Sequence, residues 1–160
     1  MNTEESDDRR RKRRLTVAVR ESLRELSIQL GLLNHQVGQR LDLRDVDLDC
    51  LDLITRHGPL SASALARTAG LHPATMTGVL DRLERAGWIV RERSPQDRRA
   101  IVLRAVTERG AEIYRLYSGM TTSMEQLLGG YSEAELTVIA DFLSRAREAG
   151  AAATGDLAEG

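Results

Sequence analysis

The sequence predicts a mainly α-helical fold with one short β-hairpin, an α+β arrangement, and three observations support this prediction. Apolar residues recur at steps of three and four along most of the 160-residue chain, as they do in amphipathic helices. Only residues 88–106 change to a β-rich pattern, and a polar turn interrupts it. Strand and helix do not alternate as they would in a nucleotide-binding sheet. The chain therefore consists of a small helix–helix–helix–hairpin unit between long helices.

The composition is that of an ordinary soluble globular protein, with 41% hydrophobic and 29% charged residues. No apolar run approaches the roughly 18 residues that a membrane span needs. The charged N-terminus also lacks the apolar core of a secretory signal. We therefore expect a cytoplasmic protein with no membrane partner. Cys50 is the only cysteine, so a disulfide within the chain is excluded.

The N-terminal region falls into two parts. In residues 1–14 four acids precede a run of six basic residues, and no apolar residue follows Met1. Without an apolar face to bury, this segment is predicted to be a disordered basic arm. From residue 15 an apolar stripe runs from Val19 to Val37 at helical spacing. Residues 15–44 are therefore predicted to form an N-terminal dimerisation helix.

Turn and cap residues divide residues 45–106 into three short helices and a hairpin. Residues 44–47 are interpreted as a connection, and Gly58 with Pro59 ends the helix that follows it. Ser61 is expected to cap a helix over 62–69 that Gly70 ends. Pro73 suits the first position of the next helix, which Gly87 ends. Two β-rich segments, 88–93 and 100–106, then flank the polar turn at 94–99.

The C-terminal region is predicted to return to long helices. Thr107 is expected to cap a helix that the glycines at 129 and 130 interrupt. Ser132 and Glu135 have the spacing of a capping box and open a last helix that extends to about residue 148. Residues 107–149 are assigned to C-terminal dimerisation helices, and residues 150–160 to a disordered tail.

Two short helices joined by a tight glycine turn, followed by a hairpin, predict a winged helix-turn-helix unit that binds double-stranded DNA. Although the net charge of the chain is −1, residues 61–105 hold eight arginines against four acids, a net +4. The helix from Pro73 is predicted to enter the major groove, because the residues of its first turns are small. The predicted DNA contacts in the helices are Ser61, Ser63, Pro73, Ala74, Thr75, Thr77, Gly78 and Arg82.

The tip of the predicted hairpin supplies the remaining DNA contacts. Arg98 and Arg99 put two guanidinium groups on an exposed turn, and arginine is favoured in a narrow minor groove by the negative potential there. Asp97 would repel phosphate, so we interpret it as a brace that holds one arginine in place.

The sequence resembles the MarR family (multiple antibiotic resistance regulators). The resemblance is carried by LSASALARTAG at 60–70, LHPATMTGVLDRLERAG at 71–87, WIVRERSPQDRRAIV at 88–102 and TERG at 107–110. It departs from the family at His72, where serine is common, and at Gly78, where arginine is common. Because both departures would alter base contacts, no operator sequence is carried over.

The resemblance implies a triangular homodimer in which the first and last helices form the interface and the two wings flank the DNA. The function it implies is a sequence-specific transcription regulator that binds a palindromic operator. It further implies repression that is relieved by a small effector, often an aromatic anion, bound between the dimer helices and the winged core. The sequence does not identify this effector.

Other interpretations of the sequence remain open beside the regulator. Cys50 suggests redox sensing, although its apolar neighbours would blunt its reactivity. His35, Cys50 and His57 suggest a metal site, but no closely spaced ligand pair supports it, so no metal and no cofactor are expected. A winged adaptor for protein partners is disfavoured by the exposed arginines Arg98 and Arg99. No enzyme motif is present, and the chain is predicted not to be an enzyme.

Overall fold

A computed structural model describes the backbone of residues 3–159 and the side chains of residues 6–157. The chain divides into two units, one ending at Asp42 and the other beginning at Leu43. The elements are α1 (Thr3–Leu41), α2 (Asp45–His57), α3 (Ala62–Ala69), α4 (Pro73–Arg85), β1 (Ile89–Arg93), β2 (Ile101–Ala105), a 3-10 turn (Thr107–Arg109), α5 (Gly110–Leu128) and α6 (Glu133–Glu159). The predicted fold class, mainly helical with one antiparallel pair of strands, is confirmed.

The first unit is the single helix α1, and it begins earlier than the sequence led us to expect. Residues 3–14 are helical, where a disordered arm was predicted; residues 1 and 2 lie outside the described part. The physical reason is local. This segment contains neither glycine nor proline, and it places Asp7 and Asp8 four residues before Arg11 and Lys12, a spacing that favours helix. Acids near a helix N-terminus also complement its dipole.

The apolar stripe of α1 is exposed in the single chain over its first part, whereas Val37 at its end is buried. Side chains at its helical spacing remain accessible, including Val19 (46%), Leu23 (39%) and Leu26 (39%). Apolar side chains at helical spacing therefore remain in contact with solvent along this part of α1.

The second unit has its core where α2, α3 and α4 pack against the hairpin. Helix α2 begins at Asp45, so the predicted connection at 44–47 is wrong and the connection is Asp42–Arg44. Asp45 and Asp47 lie in the first turn of α2, where negative charge is favourable. The core consists of apolar side chains from every one of these elements: Leu48, Cys50, Leu51, Ile54, Leu65, Ala66, Met76, Val79, Leu80, Leu83, Trp88, Ile89 and Leu103.

Backbone contacts fix the connections between these elements. Gly70 ends α3 in the left-handed conformation (φ 64°), and the Leu71 N–H donates to the Ala66 carbonyl over 2.9 Å. Strands β1 and β2 pair in antiparallel register from Ile89 with Ala105 to Arg93 with Ile101. Leu60 forms an isolated bridge to Leu103, which attaches the segment before α3 to β2.

The C-terminal helices differ from the prediction at the start of α5 and at the end of α6. Thr107 does not cap a helix; its hydroxyl bonds the Glu108 carboxylate, and a 3-10 turn precedes α5. The capping box at α6 is confirmed, because the Ser132 N–H donates to Glu135 Oε2 and the Glu135 N–H donates to Ser132 Oγ.

Helix α6 continues to Glu159, so the described part of residues 150–160 is helical and not a disordered tail; residue 160 lies outside the described part. Two features favour this continuation. The segment is rich in alanine, the strongest helix former. It also packs on α3, where a Cβ atom at Gly70 would lie only 2.8 Å from the Thr154 methyl carbon.

Candidate nucleic-acid interface

Helix α4 presents two sharply different faces. Met76, Val79, Leu80 and Leu83 are buried at helical spacing and anchor the helix in the core. The predicted contact residues of its first turns, Pro73, Ala74, Thr75 and Thr77, are exposed, and Gly78 is half-buried. The sequence therefore predicted the outward face of this helix correctly, since burying the apolar stripe leaves only the small residues to face a ligand.

His72 caps the N-terminus of α4, a role that the sequence did not predict. Its Nδ1 accepts a hydrogen bond from the Ala74 N–H at 3.2 Å, and Pro73 occupies the first helical turn. Proline lacks an N–H donor, so the first amide to satisfy is that of Ala74. Because histidine is not among the usual N-cap residues, no sequence signal indicated this contact.

The two threonines of α4 differ in what they can offer to a ligand. The Thr77 hydroxyl donates to the Pro73 carbonyl at 3.1 Å, so its hydrogen is already used within the helix. Thr75 makes no such bond in the described structure, and its hydroxyl is exposed. Thr75 thus retains both a donor and an acceptor, whereas Thr77 retains a methyl group and an acceptor.

Gly78 leaves open space on the outer side of α4. A Cβ atom at this position would meet only the flexible end of Arg82, with Nη1 at 3.4 Å. The glycine is thus not required by packing within the chain. Because glycine has no side chain, a base or phosphate can approach the helix backbone closely at this position.

Arg82, which the sequence predicts to contact phosphate, has a partner inside the protein. Its Nε and Nη2 donate to the two carboxylate oxygens of Asp47 at 2.9 and 2.6 Å. The Asp47 side chain is only 2% exposed, so its charge depends on this pair. The hydrogen bond to Asp47 raises the pKa of Arg82 above its ordinary value. Arg82 therefore holds α4 against α2.

The predicted contacts at the start of α3 form a small hydroxyl cluster. Ser61 Oγ accepts from the Ala64 N–H at 3.2 Å, which confirms Ser61 as the helix cap. Ser63 Oγ lies 3.1 Å from Ser61 Oγ and is exposed. Together the two serines give the N-terminus of α3 a polar surface suited to a phosphate.

The turn between β1 and β2, residues 94–99, is tied internally by hydrogen bonds. Ser94 is buried, and its hydroxyl donates to Gln96 Oε1 and accepts from the backbone N–H groups of Gln96 and Asp97. Asp97 Oδ1 accepts from the backbone N–H of Arg99 at 2.9 Å. Asp97 therefore braces the backbone of Arg99 and not the guanidinium that the prediction had it hold. The side chains of Arg98 and Arg99 project from a loop that these bonds order.

The arginines of the second unit separate into paired and unpaired groups. Arg91 bridges Asp81 and Glu84 of α4, and Arg104 pairs with Glu92 across the hairpin. With Arg82 bound to Asp47, these pairs neutralise three of the eight arginines in residues 61–105. Among the described residues, the five without a carboxylate partner are Arg67, Arg85, Arg93, Arg98 and Arg99, and all five are exposed.

Cys50 has none of the features of a reactive thiol. It is fully buried in α2. Burial, together with the nearby carboxylates of Asp49 and Asp47, raises the pKa of Cys50 from 9.0 to about 11, against a smaller opposing effect of Arg82. Because the thiolate is the reactive form, this environment suppresses oxidation and metal binding.

Two other properties concern the described part of the chain as a whole. No three histidine, cysteine, aspartate or glutamate side chains in it are grouped so that they could hold a metal ion. None of its helices has the length and apolar character needed to cross a membrane.

A family model described as the MarR family matches residues 43–101, which include α2 to α4 and most of the hairpin. The chain is also similar to YcgE of Bacillus subtilis (strain 168), an "Uncharacterized HTH-type transcriptional regulator". The two are 33% identical over 125 residues, which cover 78% of this chain and 81% of that protein. The chain belongs to the MarR family. It is accordingly a DNA-binding transcription regulator and not an enzyme.

Solved MarR-type structures share the fold of this family member. A MarR family protein from Bacillus stearothermophilus has a TM-score of 0.65 at 18% identity, with 85% of this chain and 95% of that chain covered. A mutant of S. aureus MepR bound to an oligodeoxyribonucleotide has a TM-score of 0.53 at 22% identity, with 82% and 96% covered. At these identities the likeness concerns the fold alone.

Proposed function

We propose that this MarR-family protein is a repressor that binds a palindromic operator as a homodimer and is released by a small effector. The observation that carries the DNA-binding part is the outward face of α4, where small and hydroxyl residues follow a capped N-terminus. Such a face lets a helix approach base edges closely. The protein would act in the cytoplasm, where its operator is accessible.

In this proposal α4 contacts bases in the major groove, and the turn between β1 and β2, the wing, contacts the minor groove. Thr75 and Thr77, with Ala74 and Gly78 beside them, face the major groove and supply sequence preference. The serines at the start of α3 contact phosphate and set the position of the protein on the duplex. Arg98 and Arg99, which have no carboxylate partner in the described structure, enter the minor groove, whose negative potential favours arginine.

The homodimer is supported by apolar surface that the single chain leaves open. In addition to the stripe of α1, helix α6 exposes Val138 (69%), Phe142 (43%) and Leu143 (48%). Exposed apolar residues at helical spacing on two long helices are typical of surfaces that a second copy covers. A two-fold dimer would present two copies of α4 to one face of the duplex, about one helical turn apart.

Release by an effector rests on the resemblance to the family, where a small aromatic anion lowers DNA affinity. Linkage requires such a ligand to bind the DNA-free state more tightly than the DNA-bound state. The Asp47–Arg82 ion pair connects α2 directly to α4, the helix proposed to enter the major groove. A shift of α2 would therefore move α4 as well.

The direct test is fluorescence anisotropy with a duplex from the protein's own promoter region and a random duplex of equal length. We expect salt-dependent binding to both, with tighter binding to the promoter and a stoichiometry of two chains per site. Light scattering of the same sample should give a dimer. Equal and weak binding to both duplexes would leave the winged adaptor for protein partners as the better interpretation, and a folded monomer at micromolar concentration would refute the dimer.

A further inference from the structure

The guanidinium group of Arg109 makes three kinds of contact at the same time. Arg109 is the last residue of the 3-10 turn that precedes α5. Its Nη1 donates to the Ala86 carbonyl at 2.7 Å, and its Nε and Nη2 donate to the two carboxylate oxygens of Glu112 at 2.9 and 3.0 Å. Its flat face lies over the ring of Trp88, with Cζ 3.4 Å from the ring centroid. A backbone carbonyl, a carboxylate and an aromatic ring thus fix the position of one side chain.

The partners of Arg109 belong to three different parts of the second unit. Ala86 is the C-cap of α4, where an arginine can satisfy a carbonyl that the end of the helix leaves without an intrahelical partner. Trp88 is only 2% exposed and directly precedes β1, the first strand of the hairpin. Glu112 lies in the first turn of α5. Arg109 therefore joins the start of α5 to the end of α4 and to the base of the hairpin.

These contacts require an arginine. The guanidinium group presents its donors in a fixed planar fork that matches a carboxylate, and its flat face stacks on aromatic rings. A lysine ammonium is a single point charge on a flexible chain, so it cannot bind both carboxylate oxygens of Glu112 and cover the ring of Trp88 together. Replacing Arg109 by lysine therefore keeps the charge but removes the connection between the elements.

We propose that Arg109 is a positioning residue for DNA binding, which sets the direction of α4 and of the hairpin relative to α5. This rests on the proposed function, in which α4 and the wing contact DNA. Arg82 fixes α4 to α2 near the same end of the helix. Because α4 is about 18 Å long, a small change of angle at Ala86 displaces the first turns most. Those turns carry Thr75 and Thr77, and base contacts depend on distances of about 3 Å.

The first measurement compares Arg109→Lys with a matched control, Arg104→Lys. Arg104 also donates Nε and Nη2 to one carboxylate, that of Glu92, but it contacts no aromatic ring in the described structure. For Arg109→Lys we expect promoter affinity to fall at least about fivefold, as for the loss of one base contact. Affinity for the random duplex should fall less, and the salt slope should not change, because no phosphate contact is removed. Arg104→Lys should bind both duplexes as the wild type does.

Trp88 is the only tryptophan of the chain, so its fluorescence reports on the contact directly. Without the stacked guanidinium, Trp88 should become more accessible to the quencher acrylamide in Arg109→Lys but not in Arg104→Lys. Affinities are measured well below the melting temperature of each variant, where a residue that only stabilises the fold does not affect binding. Glu112→Gln weakens the hydrogen bonds that orient the guanidinium but leaves the ring contact in place, so its loss of promoter affinity should be smaller.

Two results would overturn the role of Arg109. If Trp88 became more accessible in Arg109→Lys while the promoter-to-random ratio stayed at the wild-type value, the contact would serve the fold alone. Unchanged quenching would mean that Arg109 does not cover Trp88 in solution. Should Arg109→Lys fail to fold, an unchanged ratio in Glu112→Gln refutes the proposal in its place. Thr75→Ala tests the proposed function separately, and a lower ratio there with none in Arg109→Lys leaves the proposed function standing.

Discussion

Asp47 of α2 and Arg82 of α4, 35 positions apart in the sequence, form an ion pair with two hydrogen bonds that connects the two helices. The Asp47 side chain is buried, while the Arg82 side chain remains 31% exposed. A buried charge with a single partner makes the pair asymmetric, because removing the arginine leaves the carboxylate without compensation, whereas removing the carboxylate leaves an arginine that solvent can reach. Removing Arg82 should therefore destabilise the protein more than removing the Asp47 carboxylate does.

The first prediction follows from this asymmetry. Arg82→Met should destabilise the protein by about 2–4 kcal/mol, since it leaves a buried carboxylate unpaired. The double variant Asp47→Asn with Arg82→Met should recover part of that loss, because no buried charge remains. Urea denaturation monitored by circular dichroism measures both. Arg85→Met, at an exposed arginine without a carboxylate partner, is the control and should change stability by less than about 0.5 kcal/mol. Equal effects of Arg82→Met and Arg85→Met would show that the pair contributes nothing.

The second prediction concerns specificity. Thr75→Ala should reduce the ratio of promoter to random affinity by a factor corresponding to about 1–3 kcal/mol, because Thr75 offers a complete hydroxyl to a base edge. Thr77→Ala should reduce it less, since the Thr77 hydroxyl already donates to the Pro73 carbonyl. Anisotropy titrations on both duplexes give the ratio. A larger loss for Thr77 would mean that the helix faces the DNA with a different side.

The third prediction concerns the wing. Arg98→Ala and Arg99→Ala should weaken promoter and random binding alike, and each arginine that contacts phosphate should account for about one unit of the salt slope. Asp97→Ala should weaken binding indirectly, because it frees the Arg99 backbone N–H and loosens the turn. Arg104→Ala, whose guanidinium is paired with Glu92, is the control and should leave the slope unchanged. An unchanged slope in the Arg98 and Arg99 double variant would exclude the wing from the interface.

The fourth prediction concerns Cys50. At pH 8 the native protein should resist alkylation by iodoacetamide, whereas the urea-unfolded chain should react, because burial raises the pKa of the native thiol to about 11. The sign of the pH dependence follows. Since the native pKa lies above the ordinary 9.0, the unfolded chain loses its proton first, and stability falls as pH rises through the interval from about 9 to 11. Rapid labelling of the native protein would restore the redox-sensing alternative.

The boundaries of α3 and α4 could be predicted from the sequence because the residues that begin and end these helices act locally. A serine cap, a left-handed glycine and a proline in the first turn each act within a few residues, and the structure places all three as predicted. The start of α1 differs from the prediction because a segment without an apolar face need not be disordered: helix propensity and charge spacing suffice to extend an existing helix.

In the candidate site, too, some features could be predicted from the sequence and others could not. The sequence by itself determined the family, the outward face of α4 and the two arginines of the wing, since periodicity and motif spacing carry that information. Only the tertiary structure decided that Arg82 pairs with Asp47 and that Asp97 accepts from the Arg99 backbone N–H. The same holds for the cap of α4 by His72 Nδ1. Hydrogen bonds depend on where atoms lie within about 3 Å of each other, and sequence spacing does not specify which nearby acceptor a flexible side chain reaches.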